Sequence, residues 1–315
     1  MLCDMVFSSR FAEEDVRTER GVILEEIGMY EDTPDDLCSE RLFASVYKGS
    51  ALGRPILGRA ATLNTFTGDF LRDYQKSHYC AGDMVVSLAG SFTPAILEGL
   101  KARFSHLSAA CEAGCLPAVY SPAITVKKKA IEQNHLTLAV PGLPYGSPRR
   151  FSLQLLSSIL GGGMSSRLFQ EVREQQGLCY SIYSYGASHA ETGIFAIYTA
   201  LGKETERQAL ETICRVVREF AQTGPEQEEL DRAREQSKAN VLMGLESTQA
   251  RMSHMGRSLM QTGSVLSPDE IITAYDAVTR EDVLTLAQEL FDLSKASLSA
   301  VGRVSAAEEY RALLH

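Results

Sequence analysis

No stretch of this 315-residue chain approaches the ~20 consecutive apolar residues that cross a bilayer, so nothing in it reads as a membrane span. The first residues, MLCDMVFSSRF, lack both the basic flank and the apolar centre of an export signal. No extended basic run is present, Lys127–Lys129 being only three residues, and the net charge is -9, which argues against nucleic acid or an anionic membrane as the main partner. The cysteines form no compact disulfide framework: seven of them, an odd number, read as reduced thiols in a cytoplasmic setting. The closest pair, Cys111 and Cys115, has no second pair and no nearby His, so it makes a poor zinc site. The triplet Gly161-Gly162-Gly163 lacks the Lys and Ser/Thr of a phosphate loop and reads as a helix break.

What is present is ordinary globular material, 44% apolar and 23% charged, long enough for about two domains. An apolar stripe of Val16, Ile23, Ile27 and Tyr30 predicts a helix over 11–32, ended by Thr33-Pro34. Leu37, Leu42, Phe43 and Val46 predict a second over 35–47, Thr67 caps a third to about Tyr79, and DMVVSLAGSF reads as a buried strand before a helix over 93–107. Residues 108–122 then turn rich in Ala, Gly, Ser and Pro, which marks a linker. The expected organisation is a first unit over 1–110, a linker over 111–125 and a second unit over 126–315. In the second, Val126 to Val140 reads as one long strand or a pair, Ser147-Pro148 starts a helix to about Leu160, and 178–185 with 193–201 form a hairpin. Five further helices and a strand beginning at Ala296 follow, with a short helix at the end.

The two halves repeat one another. Thr67-Gly-Asp-Phe-Leu leading to DMVVSLAGSF matches Thr279-Arg-Glu-Asp-Val-Leu leading to KASLSAVGRV, and EEDVRTERGVILEEIGMYED lies where EELDRAREQSKANVLMGLES lies in the second copy. About a hundred residues of strand, helix and hairpin precede that helix in the second copy, whereas only about ten precede it in the first. The first copy therefore reads as incomplete, with an exposed sheet edge that favours association and leaves homo- or hetero-oligomers open. The fold class expected is α+β: two homologous domains, each an antiparallel sheet covered by helices, the first unfinished.

Chemistry concentrates in TERGVILEEIGMYED. Glu19 and Glu26 stand seven residues apart, almost two helical turns, and so share a face, while Glu25 points elsewhere. Such a pair can serve a metal or a partner, or be a solvated helix face supported by i,i+4 charges. The second copy does not repeat it: with Glu14 opposite Glu229, Arg234 stands opposite Glu19 and Val241 opposite Glu26.

ERGVILEEIGMYEDTPDDL, LGRPILG and FTGDFLRDYQKSHY…DMVVSLAGSF together resemble the pitrilysin/insulinase zinc metallopeptidases, the inverzincins, whose relatives include the processing peptidases; the resemblance runs from Met1 to about Arg303. It implies that Glu26 is a zinc ligand and that Glu19 supports a histidine ligand from behind. SRLFQEVREQQGLCYSI further implies that Arg173 and Tyr180 reach across to hold a peptide substrate, Arg through planar donors to a carbonyl and Tyr through its hydroxyl to an oxyanion. Read without the family, Arg173 pairs with Glu171 or Glu174 and Tyr180 packs in a strand.

The family takes its other two ligands and its general base from H-x-x-E-H, and none of His78, His106, His135, His189, His254 or His315 stands in such a motif. The expectation is an N-terminally truncated zinc metalloendopeptidase that does not bind zinc and is inactive alone. Its rivals are a non-catalytic peptide-binding or scaffold subunit of the same fold, and an unrelated helix bundle that the internal repeat disfavours.

Overall fold

The fold, taken from a computed structural model, is described for residues 2–108 and 117–314. Its first part is helical: α1 (Leu2–Phe7), α2 (Glu13–Glu31), α3 (Pro34–Val46), α4 (Ala60–Leu63), α5 (Gly68–His78) and α6 (Pro94–Phe104). The sequence signals act locally here. Pro34 occupies the first turn of α3, where its missing N–H costs nothing, and the Thr67 hydroxyl accepts from the Phe70 N–H at 3.2 Å to cap α5.

The second part alternates strands and helices: β1 (Ile124–Lys128), β2 (Asn134–Pro141), α7 (Arg150–Gly161), β3 (Ser181–Ser188), β4 (Gly193–Leu201), α8 (Glu206–Thr223), α9 (Gln227–Gly244), α10 (Thr248–Thr262), α11 (Pro268–Asp276), α12 (Arg280–Leu290), β5 (Ser297–Gly302) and α13 (Ala307–Leu314). The strands form one sheet in the order β1-β5-β2-β4-β3, antiparallel except for the parallel β1–β5 pair. The class is α+β, as the patterning implies. Val126 to Val140 resolves into two strands, β1 entering within the stretch read as linker, and Ser147 sits two residues ahead of the Arg149 N-cap. The linker cysteines Cys111 and Cys115 lie outside the described residues. Cys3, Cys38, Cys179 and Cys214 carry free thiols, whereas Cys80 is disulfide-bonded, which corrects the expectation of reduced thiols throughout.

One strand reading fails. Residues 84–89 are extended at Met84 but join no ladder, and Val86 is half exposed. A strand needs neighbours for its N–H and C=O groups. Its second-copy counterpart, β5, has β1 on one side and β2 on the other, while residues 2–108 contain no strand at all.

Both faces of the second-part sheet are covered. Leu136, Leu138, Phe195 and Ile197 pack under α7, α8 and α12, forming the main core with Leu156, Leu160, Val217 and Leu286. On the opposite face lies α3, from the first part. Its Leu42 and Val46, with Tyr47, are wholly buried against Ala139, Ile194 and Ala196, while Leu37 and Cys38 close on Val301. This double cover explains why every residue of β4 is buried. It also ties the first part to the second: the Ser121 N–H donates to the Val46 carbonyl, and the Tyr120 hydroxyl bridges to Ser297 Oγ at 2.6 Å, burial pushing that phenol up to about 12.

Candidate functional site

The segment joining α7 to β3 winds into a π-helical turn, Phe169–Gln175, before Gly177 turns the chain at φ 61°. A π turn widens the helix by one residue and commonly accompanies a functional side chain. Here it presents Arg173, whose guanidinium carbon lies 4.7 Å from the Phe169 ring centre and 5.7 Å from that of Tyr180. Stacking of this kind is worth ~1 kcal/mol at a partly exposed site, enough to favour one rotamer of a long side chain. Arg173 makes no ion pair with Glu171 or Glu174; Glu171 binds Arg215 at 2.6 Å instead. The backbone N–H of Tyr180 donates to the Ala200 carbonyl, yet the residue remains 70% exposed at the entry to β3. The structure thus brings Arg173 and Tyr180 together with their polar atoms free for a ligand, and it adds Phe169, to which nothing in the sequence pattern pointed.

Beyond Tyr180 an aromatic row crosses the sheet on the α3 side. Tyr183 of β3 stands 4.9 Å from Tyr198 of β4, centre to centre, and the Tyr198 hydroxyl meets His135 Nδ1 of β2 at 2.7 Å. Burial raises the Tyr183 and Tyr198 phenols, and Asp35 at the start of α3 adds to both. Burial lowers His135, against an opposing pull from the same Asp35. All three rings are therefore neutral near pH 7, an array of uncharged donors and acceptors on one face of the sheet. The signal for this row was present only as alternation in three separated strands; no spacing in the sequence links them.

Glu19 and Glu26 both lie exposed on α2, and the unbroken helix places them on one face, about 10 Å apart along the axis at 1.5 Å per residue. Among the described residues neither makes a hydrogen bond or ion pair. No group of three His, Cys, Asp or Glu side chains that could hold a metal occurs among the described residues. One open carboxylate does not make a zinc site, which needs three protein ligands at fixed geometry. Of the half-buried histidines, His135 bonds Tyr198 through Nδ1, and His189 packs edge-on against Phe43 with its Nε2 unpaired among the described residues.

Comparison with known proteins follows the same lines. The family profile described as the peptidase M16 inactive domain matches residues 65–237. An uncharacterized zinc protease of Bacillus subtilis is 38% identical over 308 residues, covering 96% of this chain and 75% of that protein. Another from Streptomyces coelicolor is 37% identical, covering 96% and 68%. In structure the chain is similar to a crystal structure of a peptidase M16 inactive domain from Pseudomonas fluorescens, with TM-score 0.86 at 22% identity over 94% of this chain and 72% of that one. A chain of complex III2 from Candida albicans shares the fold at TM-score 0.85 and 17% identity, over 94% and 74%.

Proposed function

The chain belongs to the M16 peptidase family, and from that premise we propose that it is the substrate-holding portion of a zinc-dependent endopeptidase acting on peptides or unfolded segments. The observation that carries this reading is the Arg173 guanidinium held over Phe169 and Tyr180 beside an exposed phenol. Arg173 presents planar N–H donors that fit the carbonyls of an extended peptide, and the Tyr180 hydroxyl can donate to the oxygen that becomes negative when such a carbonyl is attacked. The neutral row Tyr183, Tyr198 and His135 offers further uncharged donors and acceptors on the same sheet. Glu26 is read as a single zinc ligand and Glu19 as the carboxylate behind a histidine ligand, the histidines and the general base coming from polypeptide outside these 315 residues. No chemical step is assigned to these residues alone, because they do not assemble a metal site.

Peptide hydrolysis with added zinc tests the reading. The chain alone is expected to show no chelator-sensitive turnover; supplying a segment with H-x-x-E-H should bring it, and Glu26→Gln should remove it again. In that reconstituted enzyme Tyr180→Phe should lower kcat by ~100-fold with little change in KM, as for loss of one oxyanion donor. Chelator-sensitive turnover by the chain alone would sink the proposal.

A second reading is a non-catalytic subunit that binds peptides through the same surface, favoured by the inactive-domain profile over residues 65–237. It predicts peptide binding weakened by Arg173→Ala, with no turnover restored by any added segment.

A further inference from the structure

Between α7, α9, α10, α11 and strand β3 lies a cavity of about 570 Å³ that the peptidase reading does not use. Phe151, Leu153, Val241, Leu266 and Ile271 make its apolar walls, and Ser184 to Gly186 of β3 line one side. A second cavity of about 420 Å³ adjoins it, since Val241, His254, Ser258, Gln261 and Ile271 line both. This volume suits a small organic molecule.

The charge of the lining runs against that of the chain. The sequence holds 40 Asp and Glu against 31 Lys and Arg, yet no Asp or Glu among the described residues lines either cavity. Other clefts do carry carboxylates: Asp276 and Glu281 in one, Glu229 in another, Glu206 and Glu309 in a third. The two adjoining cavities contain Arg150 and Arg257 instead, and neither guanidinium makes an ion pair or a hydrogen bond among the described residues. Arg149, one residue earlier, pairs with Glu289 at 2.7 Å.

Arg150 is half-buried and held in place. Its guanidinium carbon sits 4.6 Å from the Phe151 ring centre, and Phe151 meets Tyr275 edge-on at 5.1 Å. Stacking fixes the plane of the group and satisfies none of its N–H donors. The neighbouring polar groups are already engaged: the Tyr275 hydroxyl donates to Gln154 Oε1, and His254 Nε2 donates to the Leu266 carbonyl at 3.1 Å. A cleft lined by one sign of charge concentrates counter-ions, and the planar fork of an arginine matches the two oxygens of a carboxylate.

We propose that this cavity binds a small carboxylate with an apolar body, its carboxyl group on Arg150 and its chain against Phe151, Leu153, Leu266 and Ile271. The carboxylate belongs to a fatty acid or to the C-terminus of a short apolar peptide, which present the same head on a similar body. Arg257 adds positive potential from the adjoining cavity. The inference rests on the lining and the unpaired guanidinium, independently of zinc and of the Arg173–Tyr180 pair.

The test uses the whole 315-residue chain and four probes: octanoate, octanamide, acetyl-leucyl-leucine and its C-terminal amide. In isothermal titration calorimetry at least one acid should bind ~10-fold or more tightly than its amide, as for a hydrogen-bonded charge. That preference should fall below about threefold in Arg150→Gln and persist in Arg150→Lys, which keeps the charge. Hydrogen exchange read by mass spectrometry should slow under the acid in segments 150–157 and 254–262, which wall the cavity. A preference shown by octanoate alone identifies a fatty-acid source and one shown by the dipeptide alone a peptide terminus; either supports the proposal. No binding of either acid, equal binding of acid and amide, a preference that survives Arg150→Gln, or protection confined to other segments would each overturn it. Should Arg150→Gln fail to fold, the acid–amide comparison on the parent chain and on Arg150→Lys, with the exchange map, decides the matter.

Discussion

Replacing Leu42 with Ala is the sharpest probe of how the first part is held to the second. The side chain is wholly buried between α3 and the sheet, in a cluster with Val46, Tyr47, Ala139, Ile194 and Ala196. Three carbons are lost, and at ~0.8 kcal/mol per buried methylene their transfer accounts for roughly 2.4 kcal/mol. The cavity left in a cluster bounded by β2 and β4 adds about 1 to 2 kcal/mol, since strands paired on both sides collapse poorly. The expected loss is therefore ~3.4–4.4 kcal/mol. Urea unfolding followed by far-UV circular dichroism measures it, and hydrogen exchange through α2 and α3 shows whether that pair detaches first. Leu242→Ala, at an exposed position on α9, is the control and should stay within about 0.5 kcal/mol of the parent. A loss below ~1 kcal/mol for Leu42→Ala would refute the seating of α3 on the second sheet.

Three further outcomes follow from particular contacts. Burial holds His135 below its ordinary value, so between that lowered value and ~6.5 the unfolded chain binds more protons than the folded one; stability is full above ~6.5 and falls as pH drops below it, a decline that His135→Asn should flatten in pH-dependent melting. Arg167 grips Glu229 through two hydrogen bonds at 2.9 and 2.6 Å with both side chains largely covered, so Arg167→Met should cost ~3 kcal/mol in chemical denaturation, and Glu229→Gln alongside it should recover part of the loss. Thr67→Ala removes the cap on α5 and should cost about 1 kcal/mol, visible as faster exchange at the Phe70 amide.

Elements whose reasons are local were legible in the sequence. The apolar period fixed α2 and α3, Thr67 marked the start of α5, and Tyr- and Ile-rich runs with a polar turn gave the β3–β4 hairpin. The strand reading of 83–92 failed because an apolar run reports a tendency to be buried, whereas a strand also requires neighbours to receive its hydrogen bonds. Nothing local told that α3 would lie on the other half's sheet, or that β1 would run parallel to β5, since both depend on partners far along the chain. A resembling motif singled out Arg173 and Tyr180, which the structure stacks together, while the nearness of Phe169 to Arg173 escaped because it arises from a π turn. The row Tyr183, Tyr198 and His135 is likewise a property of register across β3, β4 and β2.

The seat of α3 has a consequence for how the chain is made. Cys38 and its partner Ser299 are separated by 261 residues. At a synthesis rate of ~5–20 residues per second, α3 waits roughly 13 to 50 seconds on the ribosome before β5 exists to cover it. During that interval Leu37 and Cys38, whose cover is Val301 of β5, stay open on a finished helix, while Leu42 and Val46 wait only for β2 and β4. The nascent chain should be held over that window by whatever binds short apolar helices in the cell, and its yield should depend on that holding more than the stability of the finished fold suggests.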